Sequence, residues 1–182
     1  MTTVPLHAAL VHVPLGLAFV LPLLSVGLAL ALWRRLVPRR AWLIAAALQA
    51  CLALGGVAAL RTGEQDEERV ERITGDAAIE RHERAAERFV WGSAIVLAIA
   101  VAVLVVPARA TAAVAALAAL GAVAVAGLAY RTGKAGGELV YARGGAAAYA
   151  TSPRAASLTA PDALDRGRFR APEGTARREH DD

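Results

Sequence analysis

Four histidines occur in the chain, at positions 7, 12, 82 and 180. Two of them read as a pair. His12 heads the apolar run "HVPLGLAFVLPLL", and His82 stands seventy residues later, seven ahead of Phe89 just as His12 is seven ahead of Phe19. Histidine is a standard axial ligand of haem iron, so the chemistry open to such a pair is the gripping of a b-type haem, one imidazole from each side. Residues three, four and seven apart share a helix face. Gly16 and Phe19 therefore fall beneath His12, and Ala86 and Phe89 beneath His82, leaving room for a macrocycle edge and a phenyl ring to pack on each of its faces. Arg61 and Arg131, on the helices that follow, are suited to pairing with haem propionates. The expected cofactor site is thus His12, His82, Phe19, Phe89, Arg61 and Arg131, with His12 and His82 on the metal of haem b. No C-x-x-C-H occurs, which excludes covalent c-type attachment. The plainer reading is that both histidines start membrane helices and hydrogen-bond at headgroup level.

Other chemistry finds less support. His7 lies five residues from His12, about 140 degrees around an ideal helix, and reads as a solvated terminal histidine. His180, in the tail, has no specific role. The H-E-x-x-H pattern is absent, because His82-Glu83 continues to Ala86. A His-carboxylate metal site from His12, His82 and Glu83 or Glu87 competes with the ordinary tendency of acids on a charged helix to form a solvated face. Ser25, Ser93 and Thr111 lack a histidine partner at helical spacing. Cys51 is the sole cysteine, which excludes an intramolecular disulfide. The formal charge of +4 comes from basic residues scattered among acids, without an aromatic-interleaved patch, so nucleic acid is not an expected partner. No independent catalytic activity is expected.

The elements that must hold the pair follow from hydropathy. With 57% hydrophobic and 5% aromatic residues the chain is too apolar for an ordinary soluble domain. Four stretches are charge-free for about the length a spanning helix requires: 13–33, 41–60, 89–108 and 110–130. An all-α membrane protein is predicted, a four-helix transmembrane bundle whose Gly55, Gly56, Gly121 and Gly127 let backbones approach closely. A shift of seventy residues aligns 7–70 with 77–140 without a gap, matching His12 with His82, Phe19 with Phe89, Arg39 with Arg109, and "RTG" at 61–63 with "RTG" at 131–133. Two repeated helical hairpins are therefore expected, bringing both histidines and both arginines to one level. Thr62-Gly63 and Thr132-Gly133 read as helix ends, and Asp76 as the start of the third helix. The transmembrane domain covers 1–150, with "GKAGGELVYARGG" folding back over the bundle mouth; 151–182, rich in Pro, Gly, Arg and Asp, reads as a disordered tail.

The turn "WRRLVPRR" carries four arginines, whereas 61–88 holds six arginines against nine acids. By the positive-inside rule that turn is cytoplasmic and both termini lie outside. The first apolar run is too long for a typical signal core and no Lys or Arg precedes Arg34, so it is expected to stay. Nineteen arginines to one lysine, with the alanine load, point to a GC-rich bacterial genome and hence to the bacterial inner membrane.

The stretches "HAALVHVPLGL" and "GGELVYARGG" resemble the bacterial membrane-protein family catalogued as domain of unknown function 2231, over residues 5 to 147. The matching residues are His7, His12 and Gly136 to Tyr141; Ala8 and Val13 depart from the proline and the aromatic that the family often has there. The resemblance implies four membrane helices and no settled activity. Its members often look like partners of cytochrome and oxidoreductase systems, which leans toward haem. Two functions are therefore expected as alternatives. One is a haem-binding electron-transfer component working with a redox protein or a larger membrane complex; the other is a cofactor-free structural or assembly subunit of such a complex.

Overall fold

The computed structural model describes residues 6–145 and 147. Helix α1 is the short segment Leu6–Leu10, and α2 follows as His12–Trp33. Pro14 has no N–H to return to the Leu10 carbonyl, but Val11 between the two segments keeps helical angles, φ −63° and ψ −23°, and the bonds Val11 N to the His7 carbonyl and Leu15 N to the Val11 carbonyl carry α1 into α2. A 3₁₀ turn, Arg39–Trp42, leads into α3, Leu43–Thr74; α4 is Asp76–Val105 and α5 is Ala108–Gly137. Each of α2, α3, α4 and α5 packs on its neighbour in the chain, and α5 returns to α2 to close the ring. All of these are long and apolar enough to cross a membrane, so the chain is an all-α membrane protein built on a four-helix bundle.

Small residues fill the inside and large ones face out. One apolar cluster gathers Ala29, Ala45, Ala46, Ala100, Ala115, Ala118 and Ala119 around Trp42 and Val103. The other joins Leu21, Leu52, Phe89, Val96 and Val125 to Ala18 and Ala129. Leu23, Leu54, Trp91 and Leu120 project outward. In lipid, where tails are as apolar as leucine, close backbone approach and polar links must drive association. Both are present. A Cβ on Gly121 would stand 2.7 Å from Val96 Cγ2. The Trp42 indole donates to the Ala100 carbonyl at 3.0 Å, the Gln49 amide to that of Ser93 at 3.0 Å, and the Arg39 guanidinium to that of Leu104 at 3.2 Å. Arg39 also donates to the Thr111 hydroxyl at 2.7 Å, which ties the α2–α3 turn to the start of α5.

The helices outrun the apolar stretches at one end. Thr62-Gly63 does not terminate α3, which continues to Thr74 because 61–74 is rich in helix formers and contains no proline. Those fourteen residues carry α3 about 20 Å past Leu60 at 1.5 Å per residue. The chain reverses at Gly75, whose φ of 79° suits glycine, and α4 begins at Asp76 as expected, an acid favourably placed in the first turn. Likewise α5 runs past Thr132-Gly133 to Gly137 and continues as a π-helical turn, Glu138–Ala142. Leu139 joins Ala78 and Ile79 in a small apolar cluster, and a Cβ on Gly145 would meet Thr74 Cγ2 at 3.3 Å. The glycine-rich stretch thus lies along the protruding α3–α4 hairpin and does not fold back over the bundle mouth. The segment 151–182, expected to be disordered, lies outside the described residues.

At the opposite end α2 closes in a Schellman arrangement: Leu36 N donates to the Ala31 carbonyl at 2.8 Å and Arg35 N to that of Leu32 at 3.0 Å. The left-handed residue this requires, usually glycine, is Arg35, at φ 58°.

Candidate functional site

Helix α1 packs on α3 and thereby sets His7 against it. The His7 Nδ1–H donates to the Ala59 carbonyl at 2.8 Å. Since a carbonyl only accepts, this bond fixes the tautomer and leaves the Nε2 lone pair free. The imidazole rests on Gly63, where a Cβ would approach Cε1 to 3.2 Å. His82, on the protruding first turns of α4, rests in the same way on Gly136 of α5, where a Cβ would approach its Cε1 to 3.1 Å. The two imidazoles meet with ring centres 6.3 Å apart and planes at 89°. The Nδ1 of His82 is buried without a well-aligned hydrogen bond among the described residues, and the backbone the ring addresses is that of Thr132, four residues before Gly136 as Ala59 is four before Gly63.

The residues expected from the sequence divide. His82 is in the site, but the imidazole that meets it is that of His7, not that of His12. The buried stripe of α2 is Pro14, Ala18, Leu21, Ser25 and Ala29. His12 and Phe19 lie off that stripe and are exposed, Phe19 by 50%. His7 lies seven residues ahead of Pro14 and so on the same face as that stripe, and the packing of α1 on α3 sets it against the bundle. His7 is accordingly no solvated terminal residue. Phe89 is buried two turns below His82, its ring edge against Gly56, where a Cβ would come within 3.2 Å of Cε1. Arg61 and Arg131 are exposed, two residues before Gly63 and five before Gly136. The carboxylate site weighed around His12, His82, Glu83 and Glu87 is not assembled: among the described residues no three His, Cys, Asp or Glu come together as metal ligands. The signal sequence reasoning missed was glycine inside a helix, since Gly63 was taken as a helix end and is instead the seat of His7.

Residues 3–148 match the model of a family described as predicted membrane protein, DUF2231. The chain belongs to that family. The DUF2231 match takes in every helix of the bundle and the π turn, and with them His7, Gly63, His82 and Gly136. No curated protein and no solved structure matches the chain. What this DUF2231 protein brings together is an imidazole pair, one ring held by the Ala59 carbonyl and the other beside the backbone of Thr132, at the end where the helices leave the apolar layer.

Proposed function

We propose that this DUF2231 protein is a small electron-transfer component of the bacterial inner membrane that holds a haem b between His7 and His82. The observation that carries the reading is the imidazole pair. A metal held by two opposed imidazoles at bonds of about 2 Å keeps the ring centres roughly 6 Å apart, and those of His7 and His82 are 6.3 Å apart. The ligand count favours haem over a bare ion. A zinc site draws three or four ligands from the protein, whereas haem brings four equatorial nitrogens of its own and asks for two. The bond from His7 to Ala59 is the kind of outer contact that orients a ligating histidine and raises its basicity. Haem would supply reversible one-electron transfer. In that role His7 and His82 ligate, Gly63 and Gly136 seat the two rings, Arg61 and Arg131 offer exposed guanidinium groups for propionates, and Phe89 seals the bundle beneath. The positive-inside reading places the site at the outer face, open to a redox protein or a larger membrane complex.

The test is a reduced-minus-oxidised absorbance spectrum of the purified full chain, expressed with a haem precursor supplied. A sharp α band is expected, lost in His7→Ala and in His82→Ala and kept in His12→Ala. A helical, monodisperse and colourless protein would overturn the proposal and favour a cofactor-free structural or assembly subunit.

A further inference from the structure

The end of the bundle remote from the histidines gathers charge of one sign. Arg34 and Arg35 follow the last residue of α2, Arg39 and Arg40 precede α3, and Arg109 lies in the first turn of α5. The bonds from Arg39 to the Leu104 carbonyl and the Thr111 hydroxyl bring the two turns together. Arg34, Arg35, Arg40 and Arg109 are exposed. The chain has no Asp or Glu before Glu64 and none from Arg88 to Gly137, so no acid among the described residues opposes them at this end. Among the described residues, the one contact within the chain given for these four guanidinium groups is Arg34 over the Trp33 ring, 5.5 Å from its centre. Every one of these arginines is within about a turn of an apolar stretch, which is the depth of lipid phosphates.

Arg35 makes the independent point. It occupies the left-handed position of the Schellman turn at φ 58°, where glycine incurs no steric penalty and a residue with a Cβ does. Its exposed side chain forms no hydrogen bond, ion pair or ring contact with a described residue that would offset that penalty. A positive-inside signal alone does not need arginine there, since Arg34, Arg39 and Arg40 already supply it in the same turn.

We infer that Arg34, Arg35, Arg40 and Arg109 form a binding site for the phosphodiester headgroup of an anionic membrane lipid, with Trp33 and the exposed Leu36 beside its acyl chains. Guanidinium groups take phosphate oxygens in paired hydrogen bonds, and basic clusters where helices leave the membrane hold such headgroups. The site is independent of the histidine pair.

The full chain, in a Trp91→Phe background so that Trp33 is the exposed indole, is placed in phosphatidylcholine vesicles containing brominated phosphatidylglycerol or brominated phosphatidylcholine. Fluorescence quenching then reports which lipid sits beside Trp33. The brominated phosphatidylglycerol is expected to quench more strongly at equal mole fraction, and Arg35→Gly to reduce that preference about fivefold, the scale of one arginine near an anionic surface. In neutral detergent the same Arg35→Gly should melt higher, because the left-handed penalty is gone. Equal quenching by the two lipids, an undiminished preference in Arg35→Gly, or an unraised melting temperature would each overturn the inference. Displacement of the lipid by millimolar inorganic phosphate would also overturn it, by making the site one for free anions.

Discussion

Gly121 and Gly127 lie six residues apart on α5 and should answer the same substitution with opposite signs. A Cβ on Gly121 would stand 2.7 Å from Val96 Cγ2, whereas one on Gly127 meets nothing within 4 Å. Carbon atoms rest at about 3.5–4.0 Å, so Gly121→Ala must open a gap of roughly 1 Å. Val96 cannot turn aside. It is buried at 6% exposure and, being β-branched on a helix, has essentially one rotamer. The relief must come from moving α4 against α5, an overpacking that costs about 1–3 kcal/mol. Replacing glycine by alanine within a helix returns about 0.5–1 kcal/mol. The net expectation is a loss of about 1–2 kcal/mol for Gly121→Ala and a gain of up to about 1 kcal/mol for Gly127→Ala. At about 2–4 °C per kcal/mol for a chain of this size, the two variants should melt about 5 °C or more apart. Thermal unfolding in neutral detergent, followed by circular dichroism, measures this directly. If Gly121→Ala melts at or above Gly127→Ala, the close α4–α5 contact on which the bundle geometry rests is wrong.

Two further expectations concern the ends of the bundle. Gly136→Ala should displace the His82 ring by a few tenths of an ångström, since the new Cβ would lie 3.1 Å from Cε1; the α band proposed above should shift or weaken while helix content, read by circular dichroism, stays unchanged. Arg39→Ala should lower stability by about 1–2 kcal/mol through loss of its bonds to Leu104 and Thr111, whereas Arg40→Ala, on an exposed side chain, should change it by less than about 0.5 kcal/mol in neutral detergent.

The spans were legible because lipid leaves the chain few alternatives: a long charge-free run must satisfy its own backbone, and a helix does so. The start of α4 at Asp76 was legible for a related reason, a polar segment dense in helix formers placed directly before an apolar one. The end of α3 was not. Thr62-Gly63 has the composition of a helix stop, yet stop signals carry weight only where the following residues cannot continue, and 64–74 continue readily. Glu80 and Arg84, spaced for an ion pair, form one at 3.2 Å. For the site, His82 and the end of the bundle at which it lies could be read, but the choice between His7 and His12 could not. It turns on which face of the first helix is buried, and that is the face of His7, Pro14 and Leu21, from which His12 is turned away. The positions of Gly63 and Gly136 carry part of the missing information, since each seats an imidazole, although a helical glycine such as Gly127 can equally face open space.

The closed ring of α2 to α5 has a bearing on chain order. Near the start of the described chain His7, and near the end of α5 Gly136, both come to rest beside His82. None of the four seams between helices depends on where the ring is cut. Opening the backbone at Gly75 and linking the end of α5 to the start of α1 by an added segment would give a circular permutant running α4, α5, α2, α3, with an even number of crossings before and after the new join and every helix still entering the bilayer from its original side.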